Sequence, residues 1–301
     1  MTVAVAAVAV LVLVASVVVL TGTADADRYV TELDQVVDEP EVPSVVVQCG
    51  TNDERHLNAD NPVVSPGIPF GAHHTHEYVG NKSADARSTN DSLAAATTTC
   101  EKNDLSTYYW PVLRLTDGTG PDAHADGGGL HGNVGEVLKP KSVEIRYAGS
   151  PVSAVLPMPR FLRLITGDPA AFTSGYGPNT RARWGCSDKP GRYTTKYPLC
   201  GSATTLRTYD FGSCWDGNNT DSASHRTHVV FALAGGACPP KTFPVPRLRV
   251  TVGYDVPQGR PFAIDSFAEE LRDPATDHAM FVNVMPEALM SEVTGHLNGA
   301  R

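Results

Sequence analysis

Ten histidines punctuate this chain, and three groups of them stand beside other polar side chains in spacings that suit metal binding or proton transfer. The first is His73-His74-Thr75-His76-Glu77, behind the strand-then-turn pattern Val64-Ser65-Pro66-Gly67. On an extended segment side chains alternate between faces, so His74 and His76 share one face and His73 points away. Two imidazoles so placed can bind one metal ion, or one can hold the tautomer of the other while it moves a proton. The second group is Ser224-His225-Arg226-Thr227-His228, directly ahead of the apolar run Val229–Leu233. Upstream of it, Cys214-Trp215-Asp216-Gly217-Asn218-Asn219-Thr220-Asp221 forms a turn with two carboxylates and two side-chain amides. The third is Asp277-His278, just before Phe281. A structural reading competes with all of these: strand-end histidines bond loop carbonyls, and Asp and Asn in turns serve the turn itself.

The elements that must position these groups are β-type. Val45–Val47, Tyr108–Leu115, Ser142–Tyr147, Phe161–Ile165, Thr204–Tyr209, Thr227–Leu233 and Arg247–Val252 are rich in Val, Thr, Leu, Ile and aromatics. In Arg247–Val252 polar and apolar residues alternate, which puts the apolar set on one face. Irregular connections such as Gly118–Gly135 separate these runs. Helices are scarce until the end. Ser266-Phe-Ala-Glu269 has the capping-box pattern for a short helix. The stretch from Pro286 to Leu297 starts on a first-turn proline, spaces Leu289, Val293 and Leu297 by four, and reaches Gly299. The expectation is a mainly β, single-domain, two-sheet β-sandwich, jelly-roll-like, with short helices at the carboxyl end.

Composition narrows the function classes. The 301 residues carry a formal charge of −9 and no run of Lys or Arg, which excludes an electrostatic nucleic-acid binder. There is no G-x-S-x-G elbow, no P-loop, no H-E-x-x-H and no dinucleotide fingerprint. Residues Val3 to Leu20 are uncharged, with Ser16 the single polar side chain, so residues 1–26 are expected to be a signal peptide or an amino-terminal membrane anchor. Seven acids follow within residues 25–41, so 27–43 is expected to be a solvated acidic linker, with the folded domain at 44–301. All six cysteines lie after the apolar run and none forms C-x-x-C, so they read as three disulfides of an exported protein. Neighbour pairing, 49–100, 186–200 and 214–238, is the expected connectivity.

Several of these segments fall in one longer pattern. Pro62-Val-Val-Ser-Pro-Gly67, His74-Thr-His76, Gly80-Asn81 and Tyr109-Trp110-Pro111-Val112-Leu113 resemble, in order and spacing, an exported family described as domain of unknown function number nineteen ninety-six. Gly167-Asp168-Pro169, Ser213-Cys-Trp-Asp-Gly-Asn218 with Asp221, His225-Arg-Thr-His228-Val and Cys238-Pro239 continue the match. The resemblance implies secretion, and cell-wall or exopolysaccharide work, because fungal relatives sometimes carry carbohydrate-binding modules of the WSC type. The matching polar positions are His74, His76, Asp168, Asp216, Asp221, His225 and His228. Where the family tends to show His-Ala-Asp-Phe, this chain has His278-Ala279-Met280-Phe281, so the family's carboxylate there is replaced by Met280.

The expectation is therefore an extracellular protein, free or tethered by its amino-terminal segment, that acts on polysaccharide as a hydrolase or lyase. His74, His76, Asp216, His225 and His228 form the expected catalytic centre. Alternatively, His74, His76, His225 and His228 bind one divalent transition metal. Trp215, Asn218, Asp221, Asp168 and His278 are the expected substrate contacts. Hydrolysis would use two carboxylates, Asp216 with Asp168 or Asp221, and a lyase would use a neutral histidine as base. The other reading is a non-catalytic carbohydrate- or cell-wall-binding module whose histidines are structural.

Overall fold

A computed structural model describes residues 27–37, 39–117 and 132–299. The apolar run at 1–26 and the Gly127–Gly129 loop lie outside these residues, and no helix within them is long and apolar enough to cross a membrane. The described residues are mainly β, with several sheets and none closed among them. Ten strands make the two largest sheets: β1 (Ser44–Val47), β2 (Leu57–Asn58), β3 (His76–Gly80), β4 (Thr107–Pro111), β5 (Ser142–Ala148), β6 (Arg163–Gly167), β7 (Trp184–Cys186), β8 (Thr205–Asp210), β9 (Arg247–Tyr254) and β10 (His278–Val282). One sheet has the order β7-β8-β9-β5-β1 and the other β2-β3-β4-β10-β6.

Alternation explains what each face does. On β9, Leu248, Val250 and Val252 are buried between the half-exposed Arg247, Arg249 and Thr251, as the sequence predicts. These side chains join Ile145 and Tyr147 of β5, Tyr108 and Trp110 of β4 and Phe281 of β10 in the main core. The three central strands of the second sheet, β3, β4 and β10, are buried on both faces. Their other set, Tyr78, Tyr109, Met280 and Val282, packs with Val63 and Leu93 in a smaller cluster. Fully burying one such side chain contributes roughly 1.5–3 kcal/mol, so this outer cluster is a true second core.

Some elements differ from expectation, each for a local reason. The run Tyr108–Leu115 divides at Val112, where the chain turns its N–H to the Thr75 carbonyl and its carbonyl to the Asp265 N–H. Thr227–Leu233 keeps only two strand residues, Val229–Val230, because a turn closes from Leu233 to Gly236. The Ser266 capping box does not form. The Ser266 hydroxyl donates to the Phe267 carbonyl and accepts from the Arg272 N–H, leaving a 3-10 turn at Ala268–Glu270. The final helix, Glu287–Asn298, buries Leu289, Val293 and Leu297, with Pro286 as its N-cap and Gly299 as its C-cap.

The acidic segment is not a free linker where it is described. Tyr29–Val30 pairs with Tyr197–Pro198, Gln35–Val36 pairs with Arg192–Tyr193, and Leu33 is buried. Glu39 meets Arg183, Arg247 and Arg249, so an acid that composition alone leaves in solvent has cationic partners on the sheet.

All three disulfides have the expected partners, Cys49–Cys100, Cys186–Cys200 and Cys214–Cys238. Loop-closure entropy ranks two of them. Removing the 51-residue link of Cys49–Cys100 should cost about 4 kcal/mol, against about 3 kcal/mol for the 14-residue link of Cys186–Cys200. Urea unfolding of the paired Cys→Ala variants checks this, and the reverse order would contradict it.

Candidate metal centre

Sheet register builds the site. Asn58 of β2 lies opposite His76 of β3, which lies opposite Pro111 of β4. Continuing the Met280–Tyr109 pairing by two residues brings Pro111 opposite His278 of β10, and His278 pairs with Gly167 of β6. Residues in one cross-strand row share a face, so His76 and His278 stand on the same face, on either side of Pro111. Gly167 is required at the end of this row. Its φ is +79°, and a Cβ there would come within 2.2 Å of the Asp277 carbonyl oxygen and 2.6 Å of His278 Cα. His74 enters from the turn just before β3. His73 has φ +58° and is exposed, as its parity predicts.

The three rings converge through Nε2. His74 Nε2 lies 3.0 Å from His76 Nε2 and 3.3 Å from His278 Nε2, and all three are within 4.8 Å of one another. Three nitrogens about 2.05 Å from one tetrahedral ion are spaced by about 3.3 Å. The far nitrogens of two rings are committed. His76 Nδ1 donates to the Asp60 carbonyl at 2.9 Å, and His278 Nδ1 donates to the Thr276 carbonyl at 2.8 Å. In the neutral rings this places the lone pairs of both Nε2 atoms in the shared space. His74 can donate a proton to only one of them, and its own Nδ1 is buried without a hydrogen-bond partner. A dication bound to all three lone pairs resolves this frustration.

Electrostatics favours neutral rings. Burial pushes His74 well below the ordinary histidine value, with His76 and His278 adding to the effect. Burial lowers His76 to about 3 and His278 to about 4. Phe267, half-buried, packs edge-on to His74 at 5.3 Å between ring centroids, and Tyr109 packs edge-on to His76 at 5.3 Å.

Two buried ion pairs hold the ligand-bearing segments. Asp265 accepts from Arg114 Nε at 2.7 Å and from the backbone N–H of Thr75, the residue between His74 and His76. Asp277, adjacent to His278, accepts from Arg207 at 2.6 and 3.0 Å and from the Tyr209 hydroxyl at 2.9 Å. Arg207 also donates to the carbonyl of Pro111, the residue between the two histidines in the row. Each charge is fully or almost fully buried.

The other expected site residues lie elsewhere, and His278 rather than His225 or His228 completes the group with His74 and His76. His228 is satisfied on both nitrogens: Nε2 donates to the Arg163 carbonyl at 2.8 Å, and Nδ1 lies 2.9 Å from the Ser222 hydroxyl. His225 pairs with Asp221 at 2.8 Å. Asp216 accepts from the N–H groups of Asn218 and Asn219, and Asp168 from that of Ala170, so both serve their own turns. Trp215 Nε1 donates to the Asn219 carbonyl, and Asn218 is exposed. The buried arginines are the residues that sequence reasoning missed. A signal existed for one of them: on β8, Arg207 shares the inward parity of Thr205 and Tyr209.

Residues 61–283 match the family model of a domain of unknown function (DUF1996), and the chain belongs to that family. No curated protein and no solved structure matches the chain. All three converging histidines fall within the matched span.

The depressed values predict how stability depends on pH. Unfolded histidine titrates near 6.5, whereas His76 and His278 titrate near 3 and 4 in the fold. Between about pH 6.5 and 4 the unfolded chain binds more protons, so stability is full above that window and falls as pH drops through it. With His74 included, metal-free protein should lose up to about 4 kcal/mol per pH unit there. Urea unfolding at pH 7, 6 and 5 measures the slope, and a flat profile would contradict the neutral buried triad.

Proposed function

We propose that this member of the DUF1996 family is an extracellular metalloprotein. Its His74, His76 and His278 hold one divalent transition-metal ion, and the centre acts on cell-wall or extracellular polysaccharide. The observation that carries this reading is the convergence of three buried Nε2 atoms, two with tautomers set by backbone carbonyls. Three protein ligands leave a fourth position for water or substrate, which is the pattern of catalytic rather than structural zinc-type sites. An ion there supplies Lewis acidity or a hydroxide at neutral pH. The competing two-carboxylate hydrolysis is disfavoured because Asp216 and Asp168 are held within their own turns.

Three disulfides fit an oxidising compartment outside the cell. The polysaccharide reading rests on exposed rings suited to stacking on sugars, among them Phe172 and Tyr176 with centroids 6.4 Å apart. For the fold, a two-sheet sandwich is supported by the main core, to which both five-stranded sheets contribute.

Mass-spectrometric metal analysis of the purified chain tests the centre. About one equivalent of a transition metal is expected, with His278→Ala reducing occupancy at least tenfold and His228→Ala leaving it unchanged. Loss of metal on His228→Ala but not His278→Ala, or no metal in either, overturns the proposal.

A further inference from the structure

The chain is acidic overall, yet one face concentrates arginines. A cleft of about 520 Å³ is lined by Arg181, Arg183 and Arg247 together with Phe231, Glu39 and Asp210. Its two carboxylates are already shared: Glu39 between Arg183, Arg247 and Arg249, and Asp210 between Arg183 and Arg249. Four arginines therefore face two acids. Arg181 makes no ion pair among the described residues, and its guanidinium carbon lies over the Phe231 ring, 3.6 Å from the centroid.

The cleft approaches the metal centre along the edge strand β6. Asp210 in the cleft accepts the Thr166 hydroxyl at its carbonyl oxygen, 2.5 Å away. On either side of Thr166, Arg226 donates to the carbonyls of Ile165 and Gly167 at 3.3 and 2.6 Å. Gly167 is the register partner of His278. Arg226 also makes no ion pair among the described residues. Asp168 beside it is engaged by the Ala170 N–H and the Ser174 hydroxyl. Arg226 therefore bonds the carbonyl of the residue that pairs with His278. Arg226 is half-buried and Arg181 exposed, so the two guanidiniums offer an anion one sheltered and one open contact.

We propose that Arg181 and Arg226 bind an acidic sugar, carboxylate- or sulfate-bearing, of a polysaccharide lying from the Phe231 cleft to the His74–His76–His278 centre. The inference deepens the polysaccharide reading and rests on it. The ring of Phe231 supplies an apolar wall beside the guanidinium, the pairing that a pyranose with a charged substituent requires. A neutral glycan gives neither guanidinium an anionic group to pair with and is selected against.

Calorimetric titration of the full-length chain with tetragalacturonate, a sulfated galactan tetrasaccharide and neutral cellotetraose tests this. Binding of at least one acidic oligosaccharide is expected, tenfold or more tighter than cellotetraose and weaker at 200 mM than at 50 mM salt. The carboxylated and sulfated arms identify which acid is preferred. Arg181→Gln, a change at an exposed side chain, should weaken that binding at least tenfold, and Arg226→Lys should weaken it less. Equal binding of cellotetraose, unchanged affinity in Arg181→Gln, or no binding of either acidic sugar overturns the proposal. Metal content measured on the same samples separates failure of this track from failure of the metal centre, because Arg181→Gln should leave the metal in place.

Discussion

The site depends on a buried salt bridge that ties one sheet to the other. Arg207 projects from β8 of the first sheet, and Asp277 immediately precedes β10 of the second. Taking both charges out of water costs several kcal/mol each, and their attraction offsets that cost only because the geometry is bidentate and the remaining lone pairs are used. Here the Tyr209 hydroxyl and the Pro111 carbonyl complete the set. The pair therefore contributes position more than stability: it places His278 and Pro111 in one frame with the opposite sheet. Arg114 and Asp265 do the same for Thr75 and hence for the histidines flanking it. Either pair, left half-broken, would strand an uncompensated charge beside the triad.

From that constraint the chemistry follows in order. Two backbone carbonyls fix the tautomers of His76 and His278, and the row through Pro111 and Gly167 leaves space for their rings. Burial keeps the imidazoles neutral, so their lone pairs meet without protons to separate them. Asp277 offsets part of the Arg207 charge that faces His76 and His278, and Asp265 is shared between Arg114 and Arg272. Arg226 makes no such bidentate pair and instead donates to the carbonyls of Ile165 and Gly167. The arrangement thus sets three converging neutral imidazoles near a cluster of arginines in a protein whose net charge is −9.

Much of this was legible in the residues. Parity in His74-Thr75-His76 separates two inward rings from the exposed His73, and alternation in Arg247–Val252 matches the burial of β9. Neighbour pairing of the cysteines also matches the structure. The third ligand was less legible because His278 is 202 residues from His76, and only the register of β3, β4 and β10 brings them together. His225 and His228 drew attention by their own i, i+3 spacing, yet His228 spends both nitrogens on a hydroxyl and a carbonyl. Local spacing does not reveal whether a ring's second nitrogen is already committed. Nor does composition show that Glu39, in a run of acids, meets three arginines on the sheet.

The most direct test of the central claim is the X-ray absorption fine structure of the metal-loaded protein at the edge of the ion it retains. The account predicts three imidazole ligands at about 2.0–2.1 Å, with the outer-shell scattering that histidine rings produce, and a single lighter fourth ligand. An oxygen shell with one imidazole or none would show that the ion lies elsewhere and that the convergence of His74, His76 and His278 is structural.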